Sequence, residues 1–420
     1  MVLDNQLIAK APTVSESRLY QNLVDLCSIG CRWSGTAEEA DACEYMRSEM
    51  EPYVDGVAVQ EFEYPHYTPT GSQVASLKPS HRSFSSVGLE YAANGCCRGR
   101  LIYVGEGTEK GFQNLIELGF GFGGTVVLAK TNRPYVVGPC AESNGAVGLV
   151  VISDSPDASL RQITSQMGFD EEDDLLKFGI SIPGAIIDSR SGDYLLSLLS
   201  SGPVEVSVEH RCSVELRKSW NVIGTLQGSE KGEIIVGAHY DTQLGIQGAW
   251  DNASGCSALL EILRACSRTE KTRPMRFCAF GCEEIGLFGS TRYVHHRKNE
   301  LEQILCYINL DSTSADVCTT HELLASTKML GFAREIIESN TGWAITKSGA
   351  FSPSDHEQDA AEFVKQGVNA IWVHEEGNPY FHTIYDTLET IDSPKLARAT
   401  QVSLLLFYYL SMCGRGELGW

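Results

Sequence analysis

Two histidines and several carboxylates in this chain fall where apolar strands are about to end. His239 lies in GAHYDT (Gly237 to Thr242), with Asp241 two residues on, and Asp251 lies in WDNASG (Trp250 to Gly255). Glu283 and Glu284 are adjacent in CEEIGLFGS (Cys282 to Ser290), Asp311 closes INLD, and His382 lies in YFHTIYDT (Tyr380 to Thr387). Imidazole and carboxylate are donors that hold divalent transition metals. Two neighbouring carboxylates at a buried strand end repel each other and lose solvation, so they require a cation or a proton. A neutral imidazole can also bind a metal through one ring nitrogen while the other faces a carboxylate, a part open to Asp241 beside His239.

Taken singly, each residue has an ordinary explanation. An HxD pair is weak evidence, an aspartate ahead of the stretch Asn252 to Ser267 suits a helix N-cap, and a Glu-Glu pair is often a solvated surface feature. Their joint placement at successive strand ends is what points to metal-assisted chemistry.

The elements that must position them read as alternating strands and helices. Glu233 to Ala238, Met275 to Phe280, Ile304 to Leu310 and Asn369 to Val373 are nearly continuous apolar runs, as in a parallel sheet buried on both faces. Helical spacing covers Ser254 to Ser267, Gly289 to Gln303 and Thr327 to Asn340, and a last apolar helix spans Ser393 to Met412. This is a doubly wound α/β pattern, whose ligands bind beyond the C-terminal strand ends. Ahead of it, helical spacing runs from Ser15 to Tyr53, with Thr36 placed to cap a helix and Glu39 three residues on, and Val57 to Tyr64 reads as a strand. From Pro69 to Gly202 the style changes to short strands (Leu101 to Val104, Thr125 to Leu128, Val147 to Ile152, Ser181 to Ile187) between glycine-rich turns. That stretch carries an acidic loop, Asp170 to Asp174, and reads as a covering or positioning module without chemistry.

With 420 residues the chain can hold two domains, or one large domain with an insertion. A net charge of −21 argues against nucleic acid or an anionic membrane as partner. No apolar run reaches the roughly 18–20 residues of a membrane helix, and the N-terminus lacks a basic region followed by an apolar core. The expected location is therefore cytoplasmic. The 14 cysteines include no CxxC pair, and most sit among apolar residues, as small hydrophobes do. A reducing compartment is expected rather than a disulfide framework, and Cys282 has no evident histidine partner for a thiolate role.

The phrases GAHYDT, WDNASG, EEIGLFGS, NLD and HTIYDT, in this order, make the chain resemble the M28 family of zinc aminopeptidases, co-catalytic di-zinc metallopeptidases. SGT (Ser34 to Thr36) and SDH (Ser354 to His356) add to the likeness. It covers residues 1–66 and 205–420. Residues 67–204, with GAVGLVVISD and ISIPGAIID, resemble a protease-associated (PA) domain inserted in the peptidase. The resemblance implies a three-layer αβα zinc-exopeptidase fold, doubly wound and mostly parallel, with a smaller β-rich insertion. It implies two zinc ions per chain, with manganese or cobalt as alternatives. Asp251 would bridge them, His239 and Asp311 would complete one site, and Glu284 and His382 the other. Glu283 would be the general base and Asp241 the partner of His239. The substrate would be a peptide or small amide, with the oligomeric state left open.

Two departures from the family bear on specificity. Where some members have a tyrosine before the last histidine this chain has Phe381, with Tyr380 and Tyr385 nearby, and SDH is followed by EQDAAEF rather than a short step to phenylalanine. His321, His374 and the pair His295-His296 match no motif; His374 is the one expected to line the pocket. The competing readings are a carboxypeptidase, dipeptidase or other amide hydrolase on the same centre, which would call for a guanidinium cluster, and a non-catalytic receptor-like protein, which would call for lost ligands. A glutaminyl cyclase would use one metal.

Overall fold

Helix α1 (Glu16–Ile29) forms where the leucine spacing predicts it, burying Leu19, Leu23 and Leu26. In α2 (Ala37–Met50) the Thr36 hydroxyl accepts from the Glu39 amide at 3.2 Å, and the Glu39 carboxylate accepts from the Gly35 amide at 2.6 Å. These two bonds satisfy backbone donors at the start of the helix. The computed structural model describes residues 5–155, 160, 179–270, 272–352 and 357–413. The acidic loop 170–174 and the SDH triplet 354–356 lie outside the described residues.

The strand expected to stop at Tyr64 does not stop there. Strand β1 (Gly56–Lys78) runs for 23 residues, paired antiparallel to a later strand from Gly56 opposite Thr225 to Lys78 opposite Glu205. It contains Pro65 and Pro69. Beyond a short pairing at Val74 to Ser76, β1 pairs on one side only, so the absent proline N–H groups fall on the unpaired edge.

Between the long strands lie β2 (Gly95–Tyr103), β3 (Val126–Lys130), α3 (Pro134–Ser143), β4 (Gly148–Ile152) and β5 (Gly184–Ile187), with β2 to β5 consecutively parallel. They enclose apolar clusters of their own, including Ile102, Phe112, Val127, Leu149 and Ile186 on one face. Strand β6 (Glu205–Leu226) returns alongside β1, and residues 67–204 therefore leave and re-enter the rest of the chain through paired strands.

The second half is α/β: β7 (Glu233–His239), α4 (Ser254–Ser267), β8 (Met275–Phe280), α5 (Phe288–His296), β9 (Ile304–Asn309), β10 (Thr320–Ala325), α6 (Thr327–Asn340), β11 (Lys347–Ala350), β12 (Ala370–Glu376) and α7 (Ser393–Met412). The strand order is β11-β10-β12-β9-β7-β8-β6. Strands β12, β9, β7 and β8 are parallel, while β10 and β6 flank them antiparallel. The expected helix Gly289 to Gln303 is shorter: it ends at His296, and a single 3₁₀ turn spans Leu301–Gln303.

Helices α1, α2, α4, α6 and α7 pack on one face of this sheet around Leu260, Phe277, Ile308 and Phe407. On the other face Tyr293, Phe363 and Phe280 pack around Tyr307, whose ring stacks on Phe363 at 4.1 Å. This is the expected doubly wound, mostly parallel α/β arrangement, with helices covering both faces. None of the 14 cysteines is joined in a disulfide, and no described helix is long and apolar enough to cross a membrane.

Candidate active site

The residues singled out from sequence converge. His239 ends β7, Glu283 and Glu284 follow β8, Asp311 follows β9, and His382 follows β12, so four adjacent parallel strands deliver their C-terminal ends to one place. Asp251 arrives from the loop before α4. Its two carboxylate oxygens face different histidines: Oδ1 lies 3.1 Å from His239 Nε2, and Oδ2 lies 3.1 Å from His382 Nε2. Around His239 Nε2 stand Asp311 Oδ1 at 3.5 Å and Glu283 Oε2 at 3.9 Å; beside His382 Nε2 stands Glu284 Oε2 at 2.9 Å. Every one of these side chains is at least nine-tenths buried except His382, at 13% side-chain exposure.

Asp251 does not cap α4. The helix begins at Ser254 with Ala253 in the capping position, and Asn252 Oδ1 accepts from the Gly255 amide at 2.9 Å. Asn252 Nδ2 also donates to the Leu310 carbonyl at 2.9 Å. A side chain at Gly255 would strike that carbonyl and the Asn252 amide, so only glycine lets α4 approach β9 this closely. Both Asp251 oxygens face the histidines instead.

Asp241 holds the other carboxylates in place. It accepts from the Glu283 amide at 3.1 Å, the Glu284 amide at 3.2 Å and the Ser34 hydroxyl at 3.2 Å. His239 Nδ1 stands 3.6 Å from Asp241 Oδ1, longer than a normal hydrogen bond but close enough for charge attraction.

Several anchoring residues carried no signal in the sequence. Asp386 accepts from the amides of Trp250 and Asp251 at 2.8 and 3.1 Å. The buried Arg32 donates to carbonyls of Leu26, Gly30, Tyr240, Gln247 and Gly248, tying α1 to the loops around Asp251. Asp359, in the EQDAAEF stretch, is buried and adds negative charge beside Glu283. Non-glycine residues at positive φ recur at these strand ends, namely Cys282 (58°), Ser312 (58°) and His382 (57°). Backbone held in that region costs of order 1–3 kcal/mol per residue and gathers at functional sites.

Burial raises the Glu284 carboxyl to about 7, with the Asp251 charge adding to the rise and His382 opposing it. Burial also carries Glu283 well above the usual carboxylate range; His239 opposes this, while Asp359, Glu284 and Asp311 reinforce it. For His382 burial acts downward, yet the charges of Glu284 and Asp251 outweigh it and lift the imidazole to about 10. The site is thus a buried excess of negative charge that a cation would relieve. Its donor atoms suit one: His239, Asp251 and Glu284 offer atoms within 4.8 Å of one another, as do His239, Glu283 and Asp311. Cys282 is buried, and burial with nearby Glu39 and Asp241 pushes its thiol well up, which removes it as a nucleophile.

The site opens into a cavity of about 660 Å³. Its walls include Trp250, Trp372, His374, Pro379 and Phe381, with Glu357, Glu375 and Glu376 at its acidic side. Asn132, Tyr135 and Asp154 also line it. The covering segment thus reaches the site. Arg133 Nε lies 2.6 Å from Glu357 Oε1, and the Tyr135 hydroxyl donates to the same carboxylate. No arginine or lysine is among the described lining residues. His374 does line the cavity, stacked on Trp372 at 3.6 Å and 3.3 Å from Glu322. The other unmatched histidines lie elsewhere: His321 stacks on Trp343, His295 pairs with Glu362 at 3.0 Å, and His296 is exposed. Tyr380 and Tyr385 pack near each other, with ring centroids 6.2 Å apart, and neither lines the cavity.

Comparison with known proteins agrees with this geometry. The model of peptidase family M28 matches residues 221–407. Aminopeptidase YwaD of Bacillus subtilis is 35% identical over 182 residues, covering 40% of this chain and 38% of that protein. The chain spans well under half the length of the curated relatives it matches first. Among solved structures, an aminopeptidase from Aneurinibacillus sp. strain AM-1 superposes with a TM-score of 0.72 at 22% identity, over 96% of this chain and 95% of its own. BSAP, a zinc aminopeptidase from Bacillus subtilis, gives 0.70 at 22% identity, over 95% and 96%. These two share the fold across nearly the whole length. It is residues 221–407 that carry the chain's likeness to peptidase family M28.

Proposed function

We propose that the protein is a metal-dependent aminopeptidase working with two zinc ions. The observation that carries the reading is Asp251, a single carboxylate whose two oxygens face two separate histidine–carboxylate sets at 3.1 Å each. His239 and Asp311 would hold one ion, Glu284 and His382 would hold the other, and Asp251 would offer an oxygen to each. Bound there, the pair of ions would acidify water and polarise the scissile carbonyl. Five protein ligands, one of them shared, leave positions open for water and substrate.

Glu283 is the general base. Its side chain reaches the same cluster, with Oε2 3.9 Å from His239 Nε2, where it would take the proton from water and deliver it to the leaving amine. Asp241 fixes the backbone of both glutamates, which sets Glu283 as base beside Glu284 as ligand. Residues 67–204 act in this reading as a PA-like insertion that closes one side of the cavity. Residues 1–66 and 205–420 form the peptidase domain.

A free α-ammonium suits an acidic cavity with no lysine or arginine among its described lining residues, whereas a carboxypeptidase would need a cation for the substrate carboxylate. The deciding experiment is metal content of the purified protein together with hydrolysis of free and N-blocked aminoacyl substrates. About two zinc per chain and cleavage of free N-termini alone is the expected result. Cleavage confined to blocked or C-terminal substrates would move the specificity, and neither metal nor cleavage would overturn the reading.

A further inference from the structure

Asp311 lies just past the end of β9, where the chain leaves the sheet in a form it would not hold by itself. Ser312 and Ser314 both take left-handed backbone, at φ 58° and 79°, without being glycine. Such backbone persists only where its surroundings impose it. The Ser312 hydroxyl donates to Asp311 Oδ1 at 3.0 Å, the oxygen that stands 3.5 Å from His239 Nε2. The aim of that carboxylate therefore depends on the course of the loop 311–314.

The neighbouring strand β12 grips this loop. Trp372 Nε1 donates to the Asp311 carbonyl at 3.1 Å, the Glu375 amide to the Ser312 carbonyl at 3.1 Å, and the Ser314 amide to Glu375 Oε2 at 2.9 Å. The Trp372 ring is held in turn by His374, stacked on it at 3.6 Å. Glu375 is buried, and its Oε1 lies 3.1 Å from Lys395 Nζ, in the first turn of α7. The same ammonium donates to the carbonyls of Ala315, at 2.7 Å, and Cys318. Just ahead of α7, the Asp392 amide donates to the Ser314 carbonyl at 3.0 Å. A buried ion pair is a poor source of net stability, and here both partners are turned onto one loop. The bonds from β12 and α7 end on the backbone of 311–318, so they fix where Asp311 sits without taking up its carboxylate. The rest of the cluster is anchored elsewhere: Asp386 accepts from the Trp250 and Asp251 amides, and Asp241 from those of Glu283 and Glu284.

We infer that Trp372 and Glu375, with Lys395 behind them, are positioning residues for Asp311: they hold the strained loop so that its carboxylate faces His239, and they set how tightly the ion at those two residues is retained. The inference rests on the two-zinc reading. It makes retention of the two ions separable, because the grip acts on one of them.

Chelator titration of the zinc-loaded protein tests it, with release of each ion and Tm as readouts. Trp372→Phe keeps an aromatic ring beside His374 and removes the donor to the Asp311 carbonyl. Glu375→Ala removes the acceptor for the Ser314 amide, and Glu375→Gln restores an oxygen there. Asp311→Ala, which deletes the ligand itself, shows which release step belongs to its ion.

In Trp372→Phe and in Glu375→Ala that step should move to roughly 10- to 100-fold lower chelator, with the other step unchanged. Glu375→Gln should fall between Glu375→Ala and the parent. Both steps unchanged in the two variants would overturn the inference, and so would both steps moving together with a lowered Tm, the mark of general loosening. If Glu375→Ala does not fold, Trp372→Phe decides alone. If the parent holds no zinc, the two-zinc reading fails, and hydrogen exchange then judges the grip separately. Faster exchange at the Ser312 to Ser314 amides in Trp372→Phe upholds the hold on the loop, and an unchanged rate removes it.

Discussion

The carboxylate of Asp386 spans the two backbone amides that present Asp251, accepting from Trp250 at 2.8 Å and from Asp251 at 3.1 Å. Asp386 lies four residues after His382, so one loop supplies a candidate ligand and also clamps the chain that carries the bridging carboxylate. Partners behind metal ligands govern affinity nearly as strongly as the ligands do. Asp386→Ala should therefore weaken zinc retention by roughly 10- to 100-fold, read by competition with a chelator. Retention equal to that of the parent would show that Asp251 holds its position without the clamp.

Glu283→Gln keeps the shape of the side chain and the backbone bond to Asp241 while removing the base. Turnover should fall by about 10²- to 10⁴-fold, with zinc content preserved. Undiminished turnover would take the proton-transfer role away from Glu283.

Removing the metal should cost folding stability as well as activity, because Asp251, Glu283, Glu284 and Asp311 are buried together and then repel without a cation. Binding at 1,000 times the dissociation constant is worth about 4 kcal/mol to the folded state. A chelator should accordingly lower Tm and abolish hydrolysis, and added zinc should restore both. A Tm indifferent to chelator would contradict the metal reading.

Away from the metal cluster, Glu39 makes stability depend on pH. Burial pushes its carboxyl from 4.5 up to about 8, against the hydrogen bonds it accepts from Ser219 and Gly35. The unfolded chain loses this proton first as pH rises, so the contribution is fully present below about pH 4.5. It declines through the window up to about 8 and is gone above it. Glu39→Gln removes the titration. At about 1.4 kcal/mol per unit of displacement, the variant should gain several degrees in Tm relative to the parent between pH 5 and pH 8.5. A difference in Tm that stays constant across that range would show that Glu39 ionises normally.

Much of the scaffold could be read from the chain because its signals are local. The apolar runs ending at His239, Phe280 and Asn309 are strands within a residue or so of the expected bounds, and α4 and α6 match the helical spacing. All five candidate ligands come together because each sits at a strand end or helix start, which parallel topology gathers on one side. Residues that act through distant contacts gave no such signal. Arg32 bonds to carbonyls more than 200 positions away, Asp386 reaches back 135 residues to Asp251, and Tyr135 meets Glu357 across 222. Local signals also fell short at two points. The strand expected to end at Tyr64 runs on to Lys78 because its pairing with β6 is set by residues distant in sequence. An aspartate ahead of a helix suits a cap, yet both Asp251 oxygens face histidines.

The unbroken pairing of β1 with β6 gives the molecule a mechanical character. Residues 67–204 are joined to the rest through two hydrogen-bonded strands rather than through loose tethers, from Gly56 opposite Thr225 to Lys78 opposite Glu205. Separating the two parts would therefore mean breaking a ladder of paired strands, whose register shifts between Pro69 and Gly71 and between Ser76 and Lys78.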